Sequence, residues 1–284
     1  MFWIDNWLRA VLILPAVDNL ENAFSGFGFG AIDRIGYTPD QFHPAVFNLI
    51  QNISANVVEP IAMMILAFLL GYDLVTTILE RTNSNGTFEM FLLFKWFVKA
   101  FIAIWIVSST FDIIMVIFGI QSWVVTGTQS IFVNDMPNIV FDDFKTYLET
   151  LEIGMLFNIY MLSFLINLGV NVMNIAVMLI IYGRMITIFL KISLSPIPMV
   201  TFINKDWQSI GQNHIKSLFA LAFQAFLIIL CIGIYAIIAG QYITDVMNTG
   251  FSWTNGWSLL GYMILLCFML FKTGSISNSV FGAS

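Results

Sequence analysis

Residues 153–183 read IGMLFNIYMLSFLINLGVNVMNIAVMLIIYG, a run of 31 positions with no Asp, Glu, Lys or Arg. As one helix at 1.5 Å per residue it is roughly 46 Å long, well over the roughly 30 Å hydrocarbon core of a bilayer. A segment in lipid must satisfy its backbone hydrogen bonds internally, and a helix does so without partners. The rest of the chain agrees. Of 284 residues, 59% are hydrophobic and 10% charged, against roughly 45–50% apolar and about 25% charged in an ordinary soluble domain. The sequence therefore predicts an all-α polytopic transmembrane bundle forming one membrane domain.

Working outward from that run, four further segments reach spanning length. The expected spans are 57–79, 96–119, 153–183, 217–243 and 257–271. Pro60 falls in the opening turn of the first, where proline is tolerated, and the turn between the first two lies around Asn83-Ser84-Asn85-Gly86. The fifth is short, and Lys272 at its end can snorkel to the headgroups. Between the third and fourth spans, Ser195-Pro196-Ile197-Pro198 cannot continue a regular helix, so a broken re-entrant or interfacial segment is expected near 185–203. Residues 1–56 form an extracytoplasmic amphipathic and loop region, and residues 57–284 the transmembrane domain.

Charge sets the orientation. With five spans, one side of the membrane carries 12 acidic and 3 basic residues, and the other 5 acidic and 8 basic. Basic residues near span ends mark the cytoplasmic side, which puts the N-terminus outside and the C-terminus inside. Two spans within 153–203 would bring the acidic 142–152 loop and the basic 184–216 connection to the same side, and five is preferred for that reason.

Several functional classes are disfavoured. A net charge of −6 with 11 basic residues argues against a general nucleic-acid binder, which needs clustered Lys and Arg. Cys231 and Cys267 lie in apolar runs with no CxxC pair or Cys/His cluster, so neither a metal site nor a cofactor is expected. Phe2, Trp3, Trp7, Leu8, Val11 and Leu12 interleave with Asp5, Asn6 and Arg9. That pattern suits an interfacial helix or one packed on the span ends, and it lacks the basic start of a cleaved signal peptide. Ser25-Gly26-Phe27-Gly28-Phe29-Gly30 has no strand before it and no Walker lysine after it, so a plain loop is expected.

Charges within apolar spans are functional candidates by default. Asp73, Lys95, Lys99 and Asp112 qualify. A hairpin turning near Ser84 puts Asp73 and Lys95 at equal depth as an ion pair and leaves Asp112 in need of a partner or water. Ser163, Asn167, Asn171 and Asn174 recur at intervals of four, four and three on one helix face. Such a stripe serves either as a helix or subunit interface held by hydrogen bonds or as a hydrated pore lining. His214 has no ligand cluster around it and reads as a surface imidazole near the headgroups.

The run Lys191-Ile192-Ser193-Leu194-Ser195-Pro196-Ile197-Pro198, followed by Phe202, Trp207 and Gly211, resembles the TrbL-like conjugal transfer family. That family supplies the polytopic inner-membrane subunit of type IV secretion systems, including those of Gram-positive conjugative elements. The resemblance implies a non-enzymatic channel or scaffold in the bacterial cytoplasmic membrane. Its partners would be further copies in a ring, other membrane subunits and ATPases of the machine, and transiently a protein-bound single DNA strand or a protein. Ser195, Pro196, Pro198 and Trp207 would belong to the shared core. A secondary transporter or ion channel using the intramembrane charges is the alternative; a membrane enzyme finds no catalytic constellation.

Overall fold

The computed structural model describes residues 2–26, 34–83, 90–135, 141–250 and 252–283, and among these every regular element is helical. The elements are α1 (Phe2–Gly26), α2 (Pro39–Phe42), α3 (Pro44–Ile53), α4 (Glu59–Asn83), α5 (Met90–Ser108), α6 (Thr110–Asp135), α7 (Phe141–Glu149), α8 (Ile153–Leu194), α9 (Pro196–Val200), α10 (Gln208–Thr249) and α11 (Trp253–Phe281). A π-helical turn at Ser54–Val58 joins α3 to α4, and a 3-10 turn at Thr201–Ile203 follows α9. The short helices start where local sequence dictates. Pro39 and Pro44 take first-turn positions, where a missing N–H costs nothing. Thr38 with Gln41 forms a capping box, and the His43 ring accepts from the Val46 amide to cap α3.

Among the described residues, six helices are long and apolar enough to cross a membrane: 44–79, 90–108, 110–132, 153–194, 208–249 and 256–281. The expected class is therefore found, with six candidate helices in place of five spans. The difference arises at Ser109, which divides the expected 96–119 segment. Ser108, Ser109 and Thr110 follow one another there, and the Thr110 hydroxyl bonds back to the Ile106 carbonyl at 3.0 Å. Such back-bonding competes with the helical ladder and bends helices. The Ser109 amide still reaches the Trp105 carbonyl, and the Ile113 amide the Ser109 carbonyl. That leaves no room for a chain reversal, so α5 and α6 run on in the same general direction.

A second correction concerns the segment expected to be broken at 185–203. Helix α8 continues unbroken to Leu194, and the interruption begins at Ser195. The apolar window closed at Arg184 because that is its first charge, yet nothing before Pro196 stops a helix.

The chain divides into two compact units, the first made of Met1–Gly36, Trp123–Gly183 and Ala225–Thr273, the second of Tyr37–Ser122, Arg184–Gln224 and Gly274–Ser284. In the first unit, α8 buries Leu156, Ile159, Leu162, Ile166, Val170, Met173, Val177 and Ile181, the stripe of a period near 3.6. Helix α1 contributes Ile13, Ala16, Val17 and Leu20 to the interior and packs on α7. There the Arg9 Nη1 donates to the carbonyls of Glu149 (3.0 Å) and Leu151 (2.9 Å). Among the described residues of the second unit, two apolar clusters form. One gathers Ile114, Ile117 and Phe118 of α6 with Met185, Ile188 and Ile192 of α8 and Leu218 of α10. In the other, Ala62, Leu66 and Leu69 of α4 meet Ala100, Ala103 and Val107 of α5 and Val200 beyond Pro198. Small residues on α5 let the helices approach closely, as in membrane helix packing generally.

Candidate functional site

The second unit holds the proline reversal that links α8 to α10. Ser195 is fully buried. Its hydroxyl donates to the Lys191 carbonyl at 2.7 Å and lies 2.7 Å from His214 Nε2. A hydroxyl has one proton, already committed to Lys191, so His214 donates from Nε2. A serine beside an imidazole has the spacing of an activated nucleophile, but this one has no surface open to a substrate and serves as a clamp from the end of α8 to α10. The expected surface position of His214 is thus corrected: one turn of α10 brings it against the break.

Downstream, the Thr201 hydroxyl donates to the Pro198 carbonyl at 2.7 Å and accepts from the buried Gly211 amide at 2.9 Å. This satisfies one of the amides that the first turn of α10 leaves without a helical partner. Gly211 is required by contact: a Cβ there would lie 2.8 Å from the Pro198 carbonyl oxygen and 2.9 Å from the Phe202 ring. The Asp206 amide donates to Asn204 Oδ1, closing the turn, and Trp207 is exposed. Pro196 and Pro198 stand in α9, which packs on α4 and α5. The four residues Ser195, Pro196, Pro198 and Trp207 therefore share one reversal, tied by side chains of Thr201 and His214.

The intramembrane charges resolve differently from expectation. Lys99 Nζ lies 2.7 Å from Asp73 Oδ1, while Lys95 is exposed. The reason is register. Lys99 stands four residues, about one helical turn, beyond Lys95 on α5, so α4 (to Asn83) and α5 (from Met90) pair one turn away from the register of a hairpin turning near Ser84. The Trp96 Nε1 also donates to the Leu70 carbonyl, at 3.3 Å, a second link between α4 and α5. Asp112 is exposed on the first turn of α6.

Arg184 escaped the sequence reading, which placed it in a cytoplasmic connection. It is 3% exposed and donates from Nη1 to the Leu221 carbonyl at 3.3 Å, with Nη2 3.9 Å from Met185 Sδ. The available signal was the absence of any helix breaker before Pro196.

In the first unit, the polar stripe of α8 runs along one edge of its buried face. Ser163 is buried and donates to the Tyr160 carbonyl. Asn167 Nδ2 donates to Asn19 Oδ1 of α1 at 2.8 Å. Asn171, which is exposed, donates to the carbonyl and side-chain oxygens of Asn167 at 2.9 and 3.0 Å. Asn174 is half-buried. Asn19 had not been singled out, since its pairing depends on how α1 packs. The glycine run 27–30 and the turn at 84–86 lie outside the described residues.

The model of the TrbL/VirB6 plasmid conjugal transfer like protein family matches residues 30–196. The chain belongs to this family. No curated protein and no solved structure gives a match. The TrbL/VirB6 match takes in the intramembrane charges, the stripe of α8 and the reversal as far as Pro196; Pro198, Trp207 and Gly211 lie beyond it. Membership makes the chain a membrane subunit of conjugal transfer and part of a conjugative machinery with other subunits. With its long apolar helices it is a multi-pass protein of the cytoplasmic membrane.

Proposed function

We propose that the chain is an oligomeric channel or scaffold subunit of a type IV secretion machine, with its N-terminus outside and C-terminus inside. It helps a protein-bound single DNA strand or a protein cross the membrane, beside other membrane subunits and ATPases. One observation carries the reading. Asn171, in the uncharged stretch 153–183 of α8, is exposed next to the Asn167–Asn19 pair, with only its Nδ2 turned back onto Asn167. An exposed amide in lipid is costly unless another chain or water meets it. A contact between copies, or a hydrated path, supplies that partner. The role is non-catalytic, and the transporter alternative is weakened because Asp73 and Lys99 neutralise each other.

The test is Asn171→Leu, which leaves the Asn167–Asn19 bond in place and favours insertion. Membrane accumulation is expected to stay at the parent level while the detergent-extracted particle becomes smaller and transfer falls. An unchanged particle with lost transfer assigns the stripe to a hydrated path; no change in either removes it from function.

A further inference from the structure

Close to the turn that joins α10 to α11, the two helices line a common crevice of about 390 Å³, built from Ile238, Gln241, Tyr242 and Asp245 of the first and Ser258 and Tyr262 of the second. That is within the size range of small-molecule sites. The lining holds one carboxylate and no Lys or Arg. The Gln241 amide and the phenols of Tyr242 and Tyr262 are hydrogen-bond donors by chemistry, while the Ser258 hydroxyl proton goes to the Thr254 carbonyl. A carboxylate between aromatic walls suits an ammonium group. Amide and phenol donors beside it suit an anion, so the crevice as a whole matches a zwitterion.

The surface leading away from the turn changes character. On α10, Asp245, Gln241, Ile238 and Ile234 follow at intervals of four, three and four; on α11, Ser258, Tyr262, Leu265 and Met269 follow at the same intervals. Such spacing keeps each set on one helix face. Both sets run from polar to apolar in the same direction, and Ile234, Leu265 and Met269 at the apolar end are exposed. At the turn end, the exposed rings of Trp253 and Trp257 stack with centroids 6.5 Å apart. Tryptophans of membrane proteins collect where headgroups meet acyl chains, so the polar end of the double stripe belongs to that boundary and the apolar end to the acyl region. A soluble amine would use the polar end alone; an amphiphile uses both.

We propose that the crevice binds the headgroup of a phospholipid carrying a primary ammonium, with an acyl chain laid along Ile234 and Leu265. Asp245 takes the ammonium, and Gln241 with the two tyrosines takes the phosphodiester. A headgroup that is only anionic meets the Asp245 carboxylate with no lining cation to offset it. Such a site needs no second copy of the chain and stands apart from the channel or scaffold role.

The experiment uses the full-length chain, exchanged into non-ionic detergent until free of native lipid. It is offered equal amounts of phosphatidylethanolamine and phosphatidylglycerol with the same acyl chains, and bound lipid is counted by native mass spectrometry. Phosphatidylethanolamine is expected to dominate. Asp245→Asn should lower its occupancy about fivefold, the upper end for an ion pair open to water, whereas Asp143→Asn, at an exposed carboxylate of α7, should leave it unchanged. Equal retention of the two lipids by the parent chain overturns the proposal, and so do undiminished binding by Asp245→Asn or equal losses from the two variants. The parent's choice between lipids decides the matter even if Asp245→Asn fails to fold. Glycerophosphoethanolamine, the headgroup without acyl chains, should not displace the lipid at equal concentration; displacement would give the crevice to a soluble amine and overturn the lipid assignment.

Discussion

At the scale of residues, the pairing of Asp73 shows how little separates one assignment from another. Lys95 and Lys99 lie on one helix a turn apart, and the register of α4 against α5 selects between them. The expected consequence is asymmetric. Lys99→Gln leaves the Asp73 carboxylate, about one quarter exposed, without its countercharge and lowers membrane accumulation. Lys95→Gln, at an exposed site, leaves accumulation near the parent level. Asp73→Lys combined with Lys99→Asp should recover what each reversal alone loses. Quantitative immunoblotting of membrane fractions measures all of these, and equal losses for the two lysine variants would show that the pair does not form. The polar stripe follows similar logic: its spacing is a property of the sequence, but the partner of Asn167 is an asparagine 148 residues away.

At the scale of elements, the reversal from Ser195 to Gly211 is the most closely determined part of the second unit. Two prolines end α8, the Thr201 hydroxyl links α9 to α10, and Ser195 with His214 joins the helices again one turn further on. Gly211→Ala places a methyl group against the Pro198 carbonyl, which cannot swing away as a side chain would. It should cost about 1–3 kcal/mol as overpacking does, read as a lower midpoint in a thermal solubility assay of the detergent-extracted protein. An unchanged midpoint would mean that the reversal opens more easily than its hydrogen bonds imply. The interruption at Ser109 is an element of the other kind. Three consecutive hydroxyl residues divide α5 from α6 without ending the run of helical hydrogen bonds.

For the whole molecule, orientation is the property that links the fold to the proposed function, which has the C-terminus inside the cell. If α5 and α6, which run in one direction, are taken as a single traverse, the six candidate helices of the described residues accord with the proposed external N-terminus and internal C-terminus. Cysteines introduced at Asp143 and Asn248, with Cys231 and Cys267 removed, should then react with an impermeant maleimide in whole cells. A cysteine at Lys205 should react only after permeabilisation. Labelling at Lys205 in intact cells would reverse the orientation.

The sequence by itself determined the membrane class, the position of most helices and the proline reversal. Apolar length, missing charge and proline geometry act locally, through the cost of bare backbone in lipid. The family likeness was legible at the reversal, although its match begins far upstream and ends at Pro196. Only the tertiary structure decided that Lys99 rather than Lys95 meets Asp73, that Arg184 is buried, that His214 holds Ser195, and that Asn19 answers Asn167. Each of these depends on the register and rotation of helices distant in sequence, and apolar stripes leave both open because one Leu or Ile packs nearly as well as the next.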